Sequence, residues 1–263
     1  MKDRNDGDGR RELKIGTRLQ VTLTNNDTGK VVLREEHEVV KVPRKRGTAR
    51  DAQEAAATVE TRLLSQQWFD PELEALNKEL QEAPVSRGAA EAAKVGVDAA
   101  KLGLDVAKFA WDVIKDNKAV VDAKATTTSV LYHDTHGMDY EGAKPARPSS
   151  YTLSVRDSLI KSWECIHADV VCEATYHATP RIKGIPDGYY MPSVHVYSPK
   201  AHADLPCQIT VKAELTDVSN MGTGRIDPMV TVLSSIDFGW LFQRKHVTVK
   251  FNARGSQGVA RVA

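Results

Sequence analysis

The chain has 263 residues, 41% of them hydrophobic, which is enough for a substantial core in one large or two small domains. Lys and Arg number 36 against 35 Asp and Glu, a net charge of +1, so no global field argues for nucleic acid and none is expected as a partner. The charged opening MKDRNDGDGRRELKIG lacks the apolar centre of a Sec signal peptide, and no run approaches the ~18 to 20 apolar residues of a spanning helix. Cys165, Cys172 and Cys207 are too few and too odd in number for a disulfide framework and are expected to be reduced and buried. Synthesis in a reducing cytosol is therefore expected, with export, if any, by a route that needs no cleaved signal.

In chain order, residues 1–12 are polar and read as a disordered tail. Leu13, Ile15, Leu19, Val21 and Leu23 then recur at period two, NNDTGK supplies turn chemistry, and VVLREEHEVVKV returns, predicting a β-hairpin over 13–43. The loop PRKRGTAR concentrates Arg44, Lys45, Arg46 and Arg50 just after Lys41. Such a cluster suits an anionic lipid surface, although loop charges are most often simply solvated.

From Thr48 the apolar spacing changes to three and four residues, predicting helices over 48–69 and again after Asp70, with Pro71 at the first helical position. Pro84 ends the second, and a long helix over about 89–116 completes a helical segment at 48–124. Short strands are predicted at 126–132, 151–155, 166–175, 189–197, 208–216, 229–236 and 246–251, between turn-rich pieces. They imply an antiparallel β-sandwich or barrel-like domain over 125–254, followed by a tail at 255–263. A lone hairpin is marginal, so the N-terminal one is expected to dock on this domain. The class is α+β with an inserted helical segment.

The long helix carries the strongest functional signal. AAKVGVD, AAKLGLD and VAKFAWD are three consecutive heptads of one form. Seven residues advance about 700°, two turns less about 20°, so equivalent positions nearly align. Lys94, Lys101 and Lys108 form one row, and Asp98, Asp105 and Asp112 lie about 40° from it. Val95, Leu102 and Phe109 make one ridge, Val97, Leu104 and Trp111 a second, with Gly96, Gly103 and Ala110 in the groove between. An ordinary surface helix is apolar over roughly 100°; this one is apolar over about twice that arc. Each interior glycine costs about 1 kcal/mol relative to Ala, a cost that close approach of a second backbone would offset. Charges near a bilayer centre cost ~2.5 to 3.5 kcal/mol each, so insertion calls for several copies turning their charged ribbons to one lumen. The expected function is accordingly a membrane-active, pore-forming toxin or effector acting as a homo-oligomer. The alternative is a non-catalytic binding or assembly module whose helix stays buried or pairs with a protein partner.

Other constellations say less. His133, Asp134, His136 and Asp139 are close in sequence, but alternation separates the two histidines and no metal site is expected. Cys172 falls on the strand face opposite His167 and His177, so a Cys–His nucleophilic pair is not expected either. No phosphate-loop, nucleophile-elbow or paired-acid motif is present, which points to a non-enzyme without cofactors. Tyr189, Tyr190 and Trp240 stand near cations and are the candidate aromatic contact residues.

Overall fold

Residues 15–42, 58–82, 120–123, 125–158, 163–204, 207–240 and 243–260 are described by a computed structural model. The predicted long helix, the basic stretch at 43–50 and the first part of the helix predicted over 48–69 lie outside them. The chain opens with β1 (Arg18–Asn25), β2 (Lys30–Val42) and β3 (Thr58–Trp68), then α1 (Pro71–Glu82). There follow β4 (Val120–Ala123), β5 (Thr126–Val130), β6 (Tyr140–Glu141), β7 (Lys144–Pro145), β8 (Ser149–Asp157) and β9 (Glu164–Tyr176). The last are β10 (Thr179–Pro180), β11 (Met191–Tyr197), β12 (Ala201–Ala203), β13 (Cys207–Asn220), β14 (Pro228–Trp240), β15 (Gln243–Arg254) and β16 (Gly258–Ala260).

Two mostly antiparallel sheets hold almost all of these strands. A nine-stranded sheet runs β3-β2-β1-β8-β9-β11-β5, with β7 and β12 also on β9, and a five-stranded sheet runs β16-β15-β14-β13-β4. Alternation chooses the inner faces. Leu19, Val21 and Leu23 of β1 and Tyr151, Leu153 and Val155 of β8 share one core with Ile209, Val232, Ile236 and Phe251 of the smaller sheet. The rings of Tyr151 and Phe251 meet edge to face at 5.6 Å across the interface.

The β1–β2 turn is shaped by Asn25, whose side-chain oxygen accepts the N–H groups of Asp27 and Thr28, and by Gly29 at φ +68°. β1 also pairs with β8, so this hairpin is part of the large sheet. Helix α1 begins where Asp70 accepts the N–H groups of Glu72 and Leu73, with Pro71 first inside. Leu73 packs into the core, whereas Leu80 remains exposed.

Three stretches differ from the sequence-based expectation. Residues 58–68, predicted helical, form β3 along β2, because β2 offers an open edge and the β-branched Thr58, Val59 and Thr61 suit it. Residues 120–123 form β4, the parallel neighbour of β13, although they fall in the predicted helical segment. Within the predicted tail, residues 258–260 form β16 on β15.

The fold has two ends. At one, called here the turn end, the turns at 26–29, 221–227 and 255–257 gather with the loops at 131–139 and 181–190. They are joined by Tyr189 N–H to the Ile226 carbonyl, His177 N–H to Gly255 and Arg181 N–H to Asp139. At the other, Val42 pairs with Thr58, and Val120 lies beside Gln208. These belong to one place, since Cys207 pairs with Trp240 and the indole N–H of Trp240 donates to Thr61 Oγ1 at 3.0 Å. This is the tether end.

Besides Leu73, helix α1 is held by one buried polar side chain. Asn77 Nδ2 donates to the Leu73 and Thr248 carbonyls, and its Oδ1 accepts the Thr248 N–H at 2.8 Å. Asn77→Ala strands both backbone groups of Thr248 and is expected to lower stability by about 2 to 4 kcal/mol. Leu80→Ala is expected to change it by less than about 0.5 kcal/mol, both read by urea denaturation.

Candidate functional site

Of the residues marked by the sequence, Lys94, Gly96, Asp98, Lys101, Gly103, Asp105, Lys108, Phe109, Trp111 and Asp112 lie outside the described residues, as do Arg44, Lys45, Arg46 and Arg50. Lys41 is the penultimate residue of β2. Their attachment points are described. The stretch that carries the basic residues leaves the body at Val42 and returns at Thr58, and the stripe segment returns at Val120, all at the tether end. Helix α1, from which the stripe segment departs, starts at the turn end, where Phe69 N–H donates to Val32, and passes the middle of β15 at Thr248.

The three candidate aromatic residues separate. Tyr190 is 2% exposed and Trp240 1% exposed, so both are core residues and corrected as contact candidates. Tyr190 packs on Tyr140 at 4.9 Å and donates its hydroxyl to the Pro186 carbonyl; Trp240 lies edge-on to His37 at 5.0 Å. Tyr189, the outward member of its adjacent pair, is half-buried at the turn end. The Arg225 guanidinium lies 5.4 Å over its ring, and the His177 ring is 4.4 Å away. His177 sits at φ +63°, in the left-handed region that non-glycine residues adopt uncommonly and Asn, Asp and His more often than others. Around them Met138 is 86% exposed, and Ile182 and Met221 are about half exposed.

A buried polar corner that the sequence did not mark stands at the tether side. Glu35 and His37, two apart on β2, both point inward. The Glu35 carboxylate meets His37 Nε2 at 2.9 Å, accepts Gln66 Nε2 at 2.6 Å and pairs with Lys245 Nζ at 3.2 Å. Burial alone would raise the Glu35 pKa. The His37 hydrogen bond and the Lys245 charge outweigh it and hold this carboxyl below its ordinary value of 4.5. Thr61 completes the corner, accepting Trp240 Nε1 at its hydroxyl and Gln243 Nε2 at its carbonyl. No signal in the sequence marks this corner apart from two ionisable residues on the buried phase of an alternating strand.

A second cluster lies on the outer face of the large sheet. His167 Nδ1 is 3.2 Å from Glu164 and Nε2 is 3.3 Å from Asp169, and its ring stacks on His202 at 5.7 Å. Burial would raise the Glu164 pKa, but hydrogen bonds from Ser154, His167 and Arg156 hold it below the usual range. Cys172 faces the inner core, where burial and the charge of Glu173 push its thiol up to about 12, so it forms no nucleophilic pair with His167.

Asp139, in the loop of His133 and His136, accepts the backbone N–H of His136. Among the described residues, no three His, Cys, Asp or Glu side chains gather to hold a metal, and no helix is long and apolar enough to cross a membrane. Comparisons with protein-family models, curated proteins and solved structures return no match.

The depressed pKa of Glu35 fixes the sign of a pH effect. Its contribution to stability is fully present above 4.5 and is lost as pH falls through its lower folded value. Glu35→Gln leaves Lys245 without its buried partner and is expected to cost about 3 kcal/mol at pH 7. Urea midpoints of this variant should then fall less steeply on acidification than those of the parent.

Proposed function

We propose that the protein is a non-catalytic, membrane-active protein that meets a bilayer with its tether end and permeabilises it as a homo-oligomer. The stripe segment inserts, its Lys–Asp ribbon lines water, and the groove of Gly96 and Gly103 packs copies against one another. The cations Lys41, Arg44, Lys45, Arg46 and Arg50 attract anionic headgroups before insertion. The observation that carries this reading is that both segments return to the body at the same end. Val42, Thr58 and Val120 all stand at one end of a hydrogen-bonded β body, so loop and stripe can reach the same surface without unfolding the core. No cofactor is needed. As an effector, the protein would leave its cytosol of synthesis by a route independent of a cleaved signal.

A non-catalytic assembly module is the second reading, favoured by one observation. Edge strand β3 exposes Leu63 and Leu64 side by side, because a bulge between Glu36 and His37 breaks the alternation there, and this gives a partner protein an apolar foothold.

Dye-loaded liposomes, neutral and anionic, separate the two readings. Leakage should rise with protein concentration, be faster on anionic lipid, and fall roughly tenfold or more in Gly103→Leu, the change that about 1.4 kcal/mol of lost self-association gives. Trp111 provides a second readout, because Trp163 and Trp240 are buried and Trp68 packs against the core. Quenching by lipid-phase quenchers that disappears in Trp111→Phe supports insertion. Neither leakage nor flotation on any lipid would overturn the membrane reading.

A further inference from the structure

The three thiols are free and buried, but two of them are not solitary. Cys165 stands on β9 of the large sheet and Cys207 opens β13 of the small one. By simple alternation Cys165 and Cys172, seven apart on one strand, would face opposite ways. The register of β9 against β8 slips beside Cys165, since Val155 pairs with Ile166 and Arg156 with Glu164. The slip leaves Cys165 without a cross-strand partner and turns it into the same core as Cys172 and Cys207. Cys207 is its neighbour there, since the backbone of Asp204 bonds to both residues across the sheet interface.

The backbone holds the pair in place. Asp204 N–H donates to the Cys165 carbonyl at 2.8 Å, Cys207 N–H donates to the Asp204 carbonyl at 2.6 Å, and Trp163 Nε1 donates to the Asp204 carboxylate. Cys165 Sγ also donates to the Val155 carbonyl at 3.4 Å. Cys172 takes part in none of these bonds. Nothing in the proposed membrane activity uses the pair.

We propose that Cys165 and Cys207 are a redox site that closes to a disulfide between the two sheets when the protein meets a small-molecule disulfide oxidant. The Cys207 thiol loses its proton and attacks one sulfur of the oxidant, releasing one thiolate and leaving a mixed disulfide. The Cys165 thiol then loses its proton and attacks the Cys207 sulfur, expelling the second thiolate. Two protein thiols are oxidised by two electrons, and one oxidant disulfide is reduced to two thiols. The neighbouring Cys165 thiol and then burial raise the Cys207 pKa, so the first attack belongs to a locally opened tether end and is slow in the closed protein. The product closes a loop that runs from β9 through β12 and pins the first residue of β13, next to Gln208, which pairs with Val120 of β4.

The test is full-length protein refolded from denaturant in a glutathione redox buffer, where access to the thiols is not limiting. It is then unfolded in alkylating reagent and mapped by mass spectrometry. The expected map joins the Cys165 and Cys207 peptides and leaves Cys172 alkylated. The oxidised protein should melt about 5 to 10 °C higher than the reduced one and revert with dithiothreitol. Cys172→Ser should keep the cross-link, and Cys207→Ser or Cys165→Ala should lose it. Three free thiols in wild-type protein after refolding, or a bond that includes Cys172, would overturn the proposal.

Discussion

A nine-stranded and a five-stranded sheet can share one core only if their edges meet without leaving buried polar groups unmatched, and at β3 that requirement falls on Thr61. Its hydroxyl accepts the indole N–H of Trp240, and its carbonyl accepts the side chain of Gln243, so one residue of the large sheet's edge is closed by the last residue of β14 and the first of β15. Behind it the Glu35 carboxylate is surrounded by His37, Gln66 and Lys245. A carboxylate in that position is tolerated because its partners arrive from three strands, β2, β3 and β15. The opposite edge is closed more lightly, by Thr126 Oγ1 donating to the Ala213 carbonyl. Both corners are polar contacts in an otherwise apolar joint, and they fix how the sheets register. The body's ends, and whatever is attached to them, are fixed with it.

How much of this could be read from the chain varies with the kind of signal. The mostly antiparallel β character was legible, because runs such as β8 and β14 alternate cleanly and turn residues separate them. The start of α1 was legible too, since Asp70 and Pro71 are local chemistry that needs no tertiary partner. Residues 58–68 were not. Their Leu and Val spacing fits a helix, and only the open edge of β2, set by contacts distant in sequence, decides for a strand. Tyr190 and Trp240 resembled surface aromatics beside cations. Lys245, which follows Trp240 closely in sequence, instead pairs with Glu35, and the two rings fill cores. Parity arguments failed at the register slip beside Cys165, because one extra residue reverses every inference about faces drawn from odd and even spacing.

The same topology divides what the sequence had gathered into one membrane apparatus. The basic stretch, the striped segment predicted as a helix and the candidate aromatic residues all carry features suited to a lipid interface, and nothing in their order along the chain separates them. In the fold, strand β9 runs from Glu164 at the tether end to Tyr176 beside the turn end, 13 residues that span roughly 40 Å at ~3.3 Å per residue. That is several Debye lengths in physiological salt and far beyond the reach of any side chain. On the proposed function, a bilayer met end-on by the segments rooted at Val42, Thr58 and Val120 would leave Tyr189, Arg225 and the exposed Met138 facing away from it. Tyr189 and Arg225 would then take no part in docking that surface. If the turn end binds anything while the tether end is on a membrane, its ligand comes from the aqueous side, and the two contacts are coupled only through the β body between them.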